Sequence, residues 1–121
     1  MSGTLPTFSA LDRVFHERGR LAICSTLVAH PDGVSFTQLQ DACDLTDGNL
    51  NRHLHALAEM AIVEMRRVKG KGRPQTIVRI TDGGRERFLE YIDALEAVVR
   101  DVQRARRRGG SPAQTVPAST T

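Results

Sequence analysis

The stretch Ser35-Phe-Thr-Gln-Leu-Gln-Asp-Ala-Cys-Asp-Leu-Thr-Asp-Gly-Asn-Leu-Asn-Arg-His-Leu-His-Ala-Leu-Ala-Glu-Met60 reads as two short helices joined by a tight turn. Ser35 and Gln38 have the spacing of a capping box: the serine hydroxyl accepts from the Gln38 amide, and the Gln38 side chain returns to the Ser35 N–H. The helix begun there turns Phe36, Leu39 and Ala42/Cys43 inward. After Asp44-Leu45, Thr46 is placed to cap a second helix reaching about Met60. Leu50, Leu54 and Leu57 share one face of it with Ala58 and Ala61, and that face has to pack on the rest of the chain. Gly48, Asn49, Arg52, His55 and Glu59 project opposite, with Asn51 and His53 on the flanks. Two helices separated by about three residues have the spacing of a helix-turn-helix.

Upstream, apolar spacing predicts a helix over Ser9–Arg18, capped by Ser9 and burying Phe8, Leu11, Val14 and Phe15, with Gly19 ending it in the left-handed conformation. A second helix is expected from about Arg20 to His30, burying Leu21, Cys24, Leu27 and Val28. Pro31 stops it, Asp32-Gly33 turns, and Val34 is placed for a very short strand. Downstream, Ile62–Val68 and Thr76–Ile80 are rich in β-branched residues and flank the basic, glycine-punctuated connection Lys69–Gln75, the pattern of a β-hairpin. Thr81 then caps a last helix over 82–106, about 37 Å long. Along it Phe88, Ile92, Leu95, Val99 and Val102 step as a heptad seam. The folded body is expected over 8–106, with a flexible segment 1–7 and a flexible basic, polar tail 107–121. The fold class is mainly α with a small β-hairpin (α+β).

The 121 residues suit one domain, and 40% apolar with 26% charged residues is the balance of a globular protein. No unbroken apolar run exceeds four residues, so no spanning helix is expected, and the N-terminus has no pattern of a secretory signal. A cytoplasmic protein without a membrane partner is expected. Net charge is +3 but unevenly spread. Residues 1–60 carry −3, residues 61–80 carry +5 and residues 81–121 carry +1. Any function has to account for the basic hairpin.

Together these elements have the order of a winged helix-turn-helix. The chain also resembles bacterial transcriptional regulators related to the MarR and ArsR families. The similarity lies in Arg20-Leu-Ala-Ile23, Ser35-Phe-Thr-Gln-Leu39, Leu45-Thr-Asp-Gly-Asn-Leu-Asn-Arg-His-Leu-His-Ala-Leu57, Gly70-Lys-Gly-Arg-Pro-Gln-Thr76 and Ile80-Thr-Asp-Gly-Gly84. It spans about residues 10–100. The resemblance implies a dimeric, sequence-specific DNA binder that regulates transcription, with the dimer built from the first and last helices. Repression by blocking promoter access is the commoner arrangement in such families.

A helix inserted in the major groove needs short polar residues near its N-terminus and bidentate donors such as Arg for guanine and Asn for adenine. Arg52 and Asn49 are the first candidates for base edges, with Asn51 and His55 next and Gly48 permitting close approach. In the wing, Arg66, Lys69, Lys71 and Arg73 are placed for phosphates or the minor groove. Ser35, Thr37 and Gln38 of the supporting helix are assigned to the DNA backbone. No aromatic residue falls on the wing, so duplex DNA fits better than a base-stacked single strand.

Catalysis finds no candidate residues. Gly70-Lys-Gly-Arg-Pro lacks the P-loop spacing. His53 and His55 point about 200° apart on a helix, and Cys24 and Cys43 form no CxxC, so no metal or cofactor is expected. Phe88, Ile92, Leu95, Val99 and Val102 are assigned to a homodimer interface, which would set two reading helices about one DNA turn (~34 Å) apart on a pseudo-palindromic operator. A small-molecule effector between the first and last helices is left open, since no convergent polar set marks it. The rival reading is a protein–protein module whose basic wing meets an acidic partner.

Overall fold

Asp12 caps the first described element. In the computed structural model, which describes residues 11–70 and 72–109, its Oδ1 accepts from the Val14 N–H at 3.2 Å. Arg87, 75 residues away, donates to both its oxygens at 2.5 and 3.2 Å. A carboxylate bonded two residues ahead offers the backbone an alternative to a helix. The helix expected over Ser9–Arg18 is therefore not formed in its described part, where Arg13–Phe15 make a single 3-10 turn. That turn carries the adjacent Val14 and Phe15 both into the core. Expectations resting on Phe8, Ser9, Lys71 and the segments 1–7 and 110–121 lie outside the described residues.

The elements that follow are α1 (Arg18–Ala29), β1 (Val34–Ser35), α2 (Phe36–Cys43), α3 (Asp47–Glu59), β2 (Val63–Lys69), β3 (Pro74–Ile80) and α4 (Asp82–Arg108). The strands form one antiparallel sheet in the order β1-β3-β2, with Val34 opposite Val78 and a hairpin register from Val63↔Ile80 to Lys69↔Pro74. Val63, Val78 and Ile80 turn inward beneath the helices. The last helix runs two residues past the expected Arg106.

Local polar bonds start the helices. The capping box forms as expected: Ser35 Oγ accepts from the Gln38 N–H at 3.1 Å, and Gln38 Oε1 accepts from the Ser35 N–H at 3.2 Å. Thr46 accepts from Asn49 and Thr81 from Gly84 in the same way. Leu50, Leu54 and Leu57 of α3 are fully buried. Ala61, expected beside them, lies past the helix end, exposed and at φ 58°, where its side chain no longer follows the helical repeat. The remaining core joins Phe15 to Phe88 and Tyr91, with ring centroids 5.1 and 5.5 Å apart, in the range of favourable aromatic pairs. Gly84 lies flat on the backbone of Ile62, where a Cβ would collide with the Ile62 carbonyl.

His53 fixes α3 against α1. It is buried, and Arg20 Nε donates to its Nδ1 at 3.2 Å. That bond requires a lone pair on Nδ1, hence a neutral ring protonated on Nε2. Burial first, then the Arg52 charge, hold its pKa below the ordinary 6.5, against the pull of Glu17, whose Oε1 stands 3.7 Å away and makes no ion pair with a neutral ring. Gly19, expected as a helix terminator, sits instead in the first turn of α1. A Cβ there would stand 2.6 Å from His53 Nε2, so the missing side chain makes room for the ring.

Two pH effects are expected. The unfolded chain takes up a proton near pH 6.5 that folded His53 refuses until the pH reaches its lowered pKa, so stability falls as pH drops below about 6.5. Urea unfolding should show that fall, and His53→Gln should flatten it; equal slopes would acquit His53. The Arg87 guanidinium beside Asp12 holds its carboxyl below the ordinary 3.8, so this pair stabilises fully above that value and its contribution is lost in more acid solution. Both side chains are partly exposed, which limits the pair to about 0.5–1 kcal/mol. Asp12→Asn should lose that much at neutral pH, and the difference from wild type should shrink only as pH falls below 3.8 and through the lowered pKa of the folded carboxyl.

Candidate nucleic-acid interface

Because α3 is anchored through Leu50, His53, Leu54 and Leu57, its remaining surface is free for a partner. Gly48, Asn49, Asn51, Arg52 and His55 are all exposed there. No atom lies within 4 Å of where a Gly48 Cβ would stand, so another backbone can approach that turn closely. Asn49 and Arg52 border a cleft of about 340 Å³ that also takes in Arg18, Asp44 and Leu45. Arg18 is expected from the sequence at the end of a helix. It stands in the first turn of α1 instead, exposed, with its side chain bordering the same cleft as Arg52.

His53 moves the other way, from a flank residue to a buried anchor. Its signal was present in the spacing: it stands three residues after Leu50 and four before Leu57, on the edge of the leucine face.

The hairpin divides its positive charge. Arg79 donates to Glu64 at 2.6 Å directly across the strands, so that pair is locally neutral. Arg67 donates to Thr76 Oγ1 at 3.2 Å and keeps its charge. Lys69 and Arg73 are exposed at the tip, and Gly72 takes the turn at φ 92°. Arg66 is exposed too, but it borders a cavity of about 240 Å³ with Asp32, Glu64 and Arg79 on the outer face of the sheet. It therefore stands apart from the tip cations. None of the ion pairs among the described residues uses Arg66, Lys69 or Arg73. The fourth wing candidate, Lys71, lies outside the described residues.

On α2, Thr37 is exposed, while Ser35 and Gln38 each commit one oxygen to the capping box. The serine hydroxyl proton and the Gln38 amide NH₂ remain as donors. On α4 the expected seam splits. Phe88 is 3% exposed, packed against Phe15 and Tyr91 of its own chain, and does not form part of an outward face. The cause is the 3-10 turn, which delivers Phe15 onto it. Ile92 and Leu95 are half-buried, whereas Val99 and Val102 are 46% and 61% exposed. Cys24 is buried and its thiol is pushed up to about 12, chiefly by burial; burial raises Cys43 as well. Both are packing thiols at neutral pH rather than thiolates. Among the described residues no cluster of three or more His, Cys, Asp or Glu is arranged for a metal, and no helix is long and apolar enough to cross a membrane.

Comparison with known proteins agrees with this arrangement. Residues 20–99 match the family of winged helix DNA-binding domains. Uncharacterized protein MJ0432 of Methanocaldococcus jannaschii is 38% identical over 68 residues, which are 56% of this chain and 74% of that protein. An uncharacterized HTH-type transcriptional regulator of Bacillus subtilis, YdgJ, is 39% identical over 63 residues, 52% of this chain and 38% of the relative. A transcriptional regulator homologue from Pyrococcus horikoshii superposes with a TM-score of 0.70 at 32% identity, covering 75% of this chain and 89% of that one. The fold is shared further with a MarR family transcriptional regulator from Streptomyces coelicolor, solved in complex with DNA, at a TM-score of 0.51 and 18% identity over 88% of this chain and 80% of that one. With two helices, a supporting turn and a basic hairpin in this order, and the family match across them, the chain belongs to the winged helix DNA-binding domain family.

Proposed function

We propose that this winged-helix, DNA-binding transcriptional regulator acts as a homodimer that reads a pseudo-palindromic duplex site and represses by occupying it. The observation that carries the reading is the bare polar face of α3 beside a hairpin tip whose cations have no acidic partner among the described residues. Arg52 and Asn49 read base edges in the major groove, with Asn51 and His55 beside them. Lys69, Lys71 and Arg73 grip phosphates or enter the minor groove, and Thr37, with the free donors of Ser35 and Gln38, steadies the backbone. Arg66 adds positive potential from the outer face of the sheet. Ile92, Leu95, Val99 and Val102 join the two copies, and their two-fold symmetry is what an operator with two similar halves would match.

Titration of duplex DNA at several salt concentrations tests this. Affinity is expected to fall steeply with salt; binding that is negligible even in dilute salt would leave the protein–protein reading standing instead. Lys69→Ala with Arg73→Ala should weaken binding to every sequence and flatten the salt slope by about one to two units. Arg52→Ala should mainly erase the preference for a selected site over a scrambled one, by about 1–3 kcal/mol. If the two variants behave alike, α3 is not the base-reading element.

A further inference from the structure

His53 leaves one polar group over. Its Nδ1 is taken by the Arg20 bond, which puts the ring proton on Nε2, and Nε2 has no hydrogen-bond partner among the described residues. The residue is only 4% exposed. No fully buried side-chain nitrogen or oxygen among the described residues lacks a partner, so Nε2 reaches open space, and the space that His53 borders is the cleft between α1 and α3. A donor so nearly enclosed weakens the fold unless an acceptor meets it.

The rest of that cleft favours an anion. Arg18 borders it from α1 and Arg52 from α3, both exposed and neither in an ion pair among the described residues. Against them the lining holds one acid, Asp44. Glu17 lies outside the lining, 3.7 Å from the other ring nitrogen. Its side chain does not cap α1, whose first turn holds no acid, and the amides of Arg18, Gly19 and Arg20 have no partner among the described residues. They add positive potential at this end of the cleft.

We propose that the cleft takes a single phosphate group, one oxygen of which accepts from His53 Nε2–H. Arg18 donates to the other oxygens from the α1 side, and Arg52 lends charge from the α3 side. A tetrahedral anion suits donors on two facing walls because its oxygens point in separate directions, whereas a carboxylate holds both of its oxygens in one plane. The phosphate can belong to the backbone of a bound duplex or to a small phosphorylated molecule. The first source rests on the DNA-binding reading above and deepens it, adding a backbone contact beside α3 that fixes how the helix enters the groove. The second stands without that reading.

Two titrations of the full chain at about pH 7.5, where the ring is neutral, follow the His53 nitrogens by NMR, assigned by their absence from His53→Gln. Inorganic phosphate, against chloride at matched ionic strength, probes the free source, and a short duplex carrying a selected site probes the other. A saturable shift of Nε2 is expected in at least one titration. Arg18→Gln, at an exposed position outside the core, should weaken that binding by roughly threefold to tenfold. Nε2 moved by duplex alone, or by both in mutual competition, assigns a backbone phosphate; the variant should then weaken selected and scrambled duplexes alike and flatten the salt slope by about one unit. Nε2 moved by phosphate alone assigns a free one. Duplex binding that leaves Nε2 unmoved, with no response to phosphate, overturns the site and leaves the DNA-binding reading intact. A shift that Arg18→Gln does not weaken overturns the site as well. Failure to bind any duplex, beside a saturable phosphate shift, overturns the DNA-binding reading and leaves the site.

Discussion

One helix has to be held firmly while most of its surface stays bare. Only a narrow stripe of α3, Leu50, Leu54 and Leu57, enters the core, and aliphatic contact alone leaves such a helix able to roll about its axis. His53 at the edge of the stripe supplies the missing direction. A hydrogen bond from Arg20 fixes the ring, and the ring lies in the space left by Gly19. The polar residues opposite thus inherit a defined aim from a contact they do not make.

Around that helix the charge is arranged by subtraction as well as by placement. Glu64 neutralises Arg79 at the base of the hairpin, and Asp12 occupies Arg87 at the base of α4. Cations without such partners among the described residues include Lys69 and Arg73 at the hairpin tip and Arg100, Arg106, Arg107 and Arg108 on the distal half of α4.

Elements whose causes are local were legible in the residues. Ser35, Thr46 and Thr81 each cap a helix through an amide three positions on, and the hairpin follows from β-branched alternation around a glycine-rich connection. The failures have distant causes. The helix over Ser9–Arg18 has suitable spacing but loses to Asp12, whose partner lies 75 residues further along. Phe88 fits a heptad as well as Ile92 does, and only the position of Phe15 sends one inward and leaves the other half-open. Arg18 and the shared cleft with Arg52 depend on how α1 crosses α3, which periodicity along a single segment does not encode.

Thr81 closes the hairpin at its root. Its N–H donates to the Ile62 carbonyl at 2.9 Å, its hydroxyl donates to the Ala61 carbonyl at 2.6 Å, and the same oxygen accepts from Gly84 as α4 begins. One side chain therefore staples the exit of α3, the two ends of the hairpin and the entry to α4 into a single junction. A loop so clasped behaves as an interchangeable part. Its tip can be lengthened, shortened or recharged over evolutionary time, or by grafting, while the span between α3 and α4 stays the same.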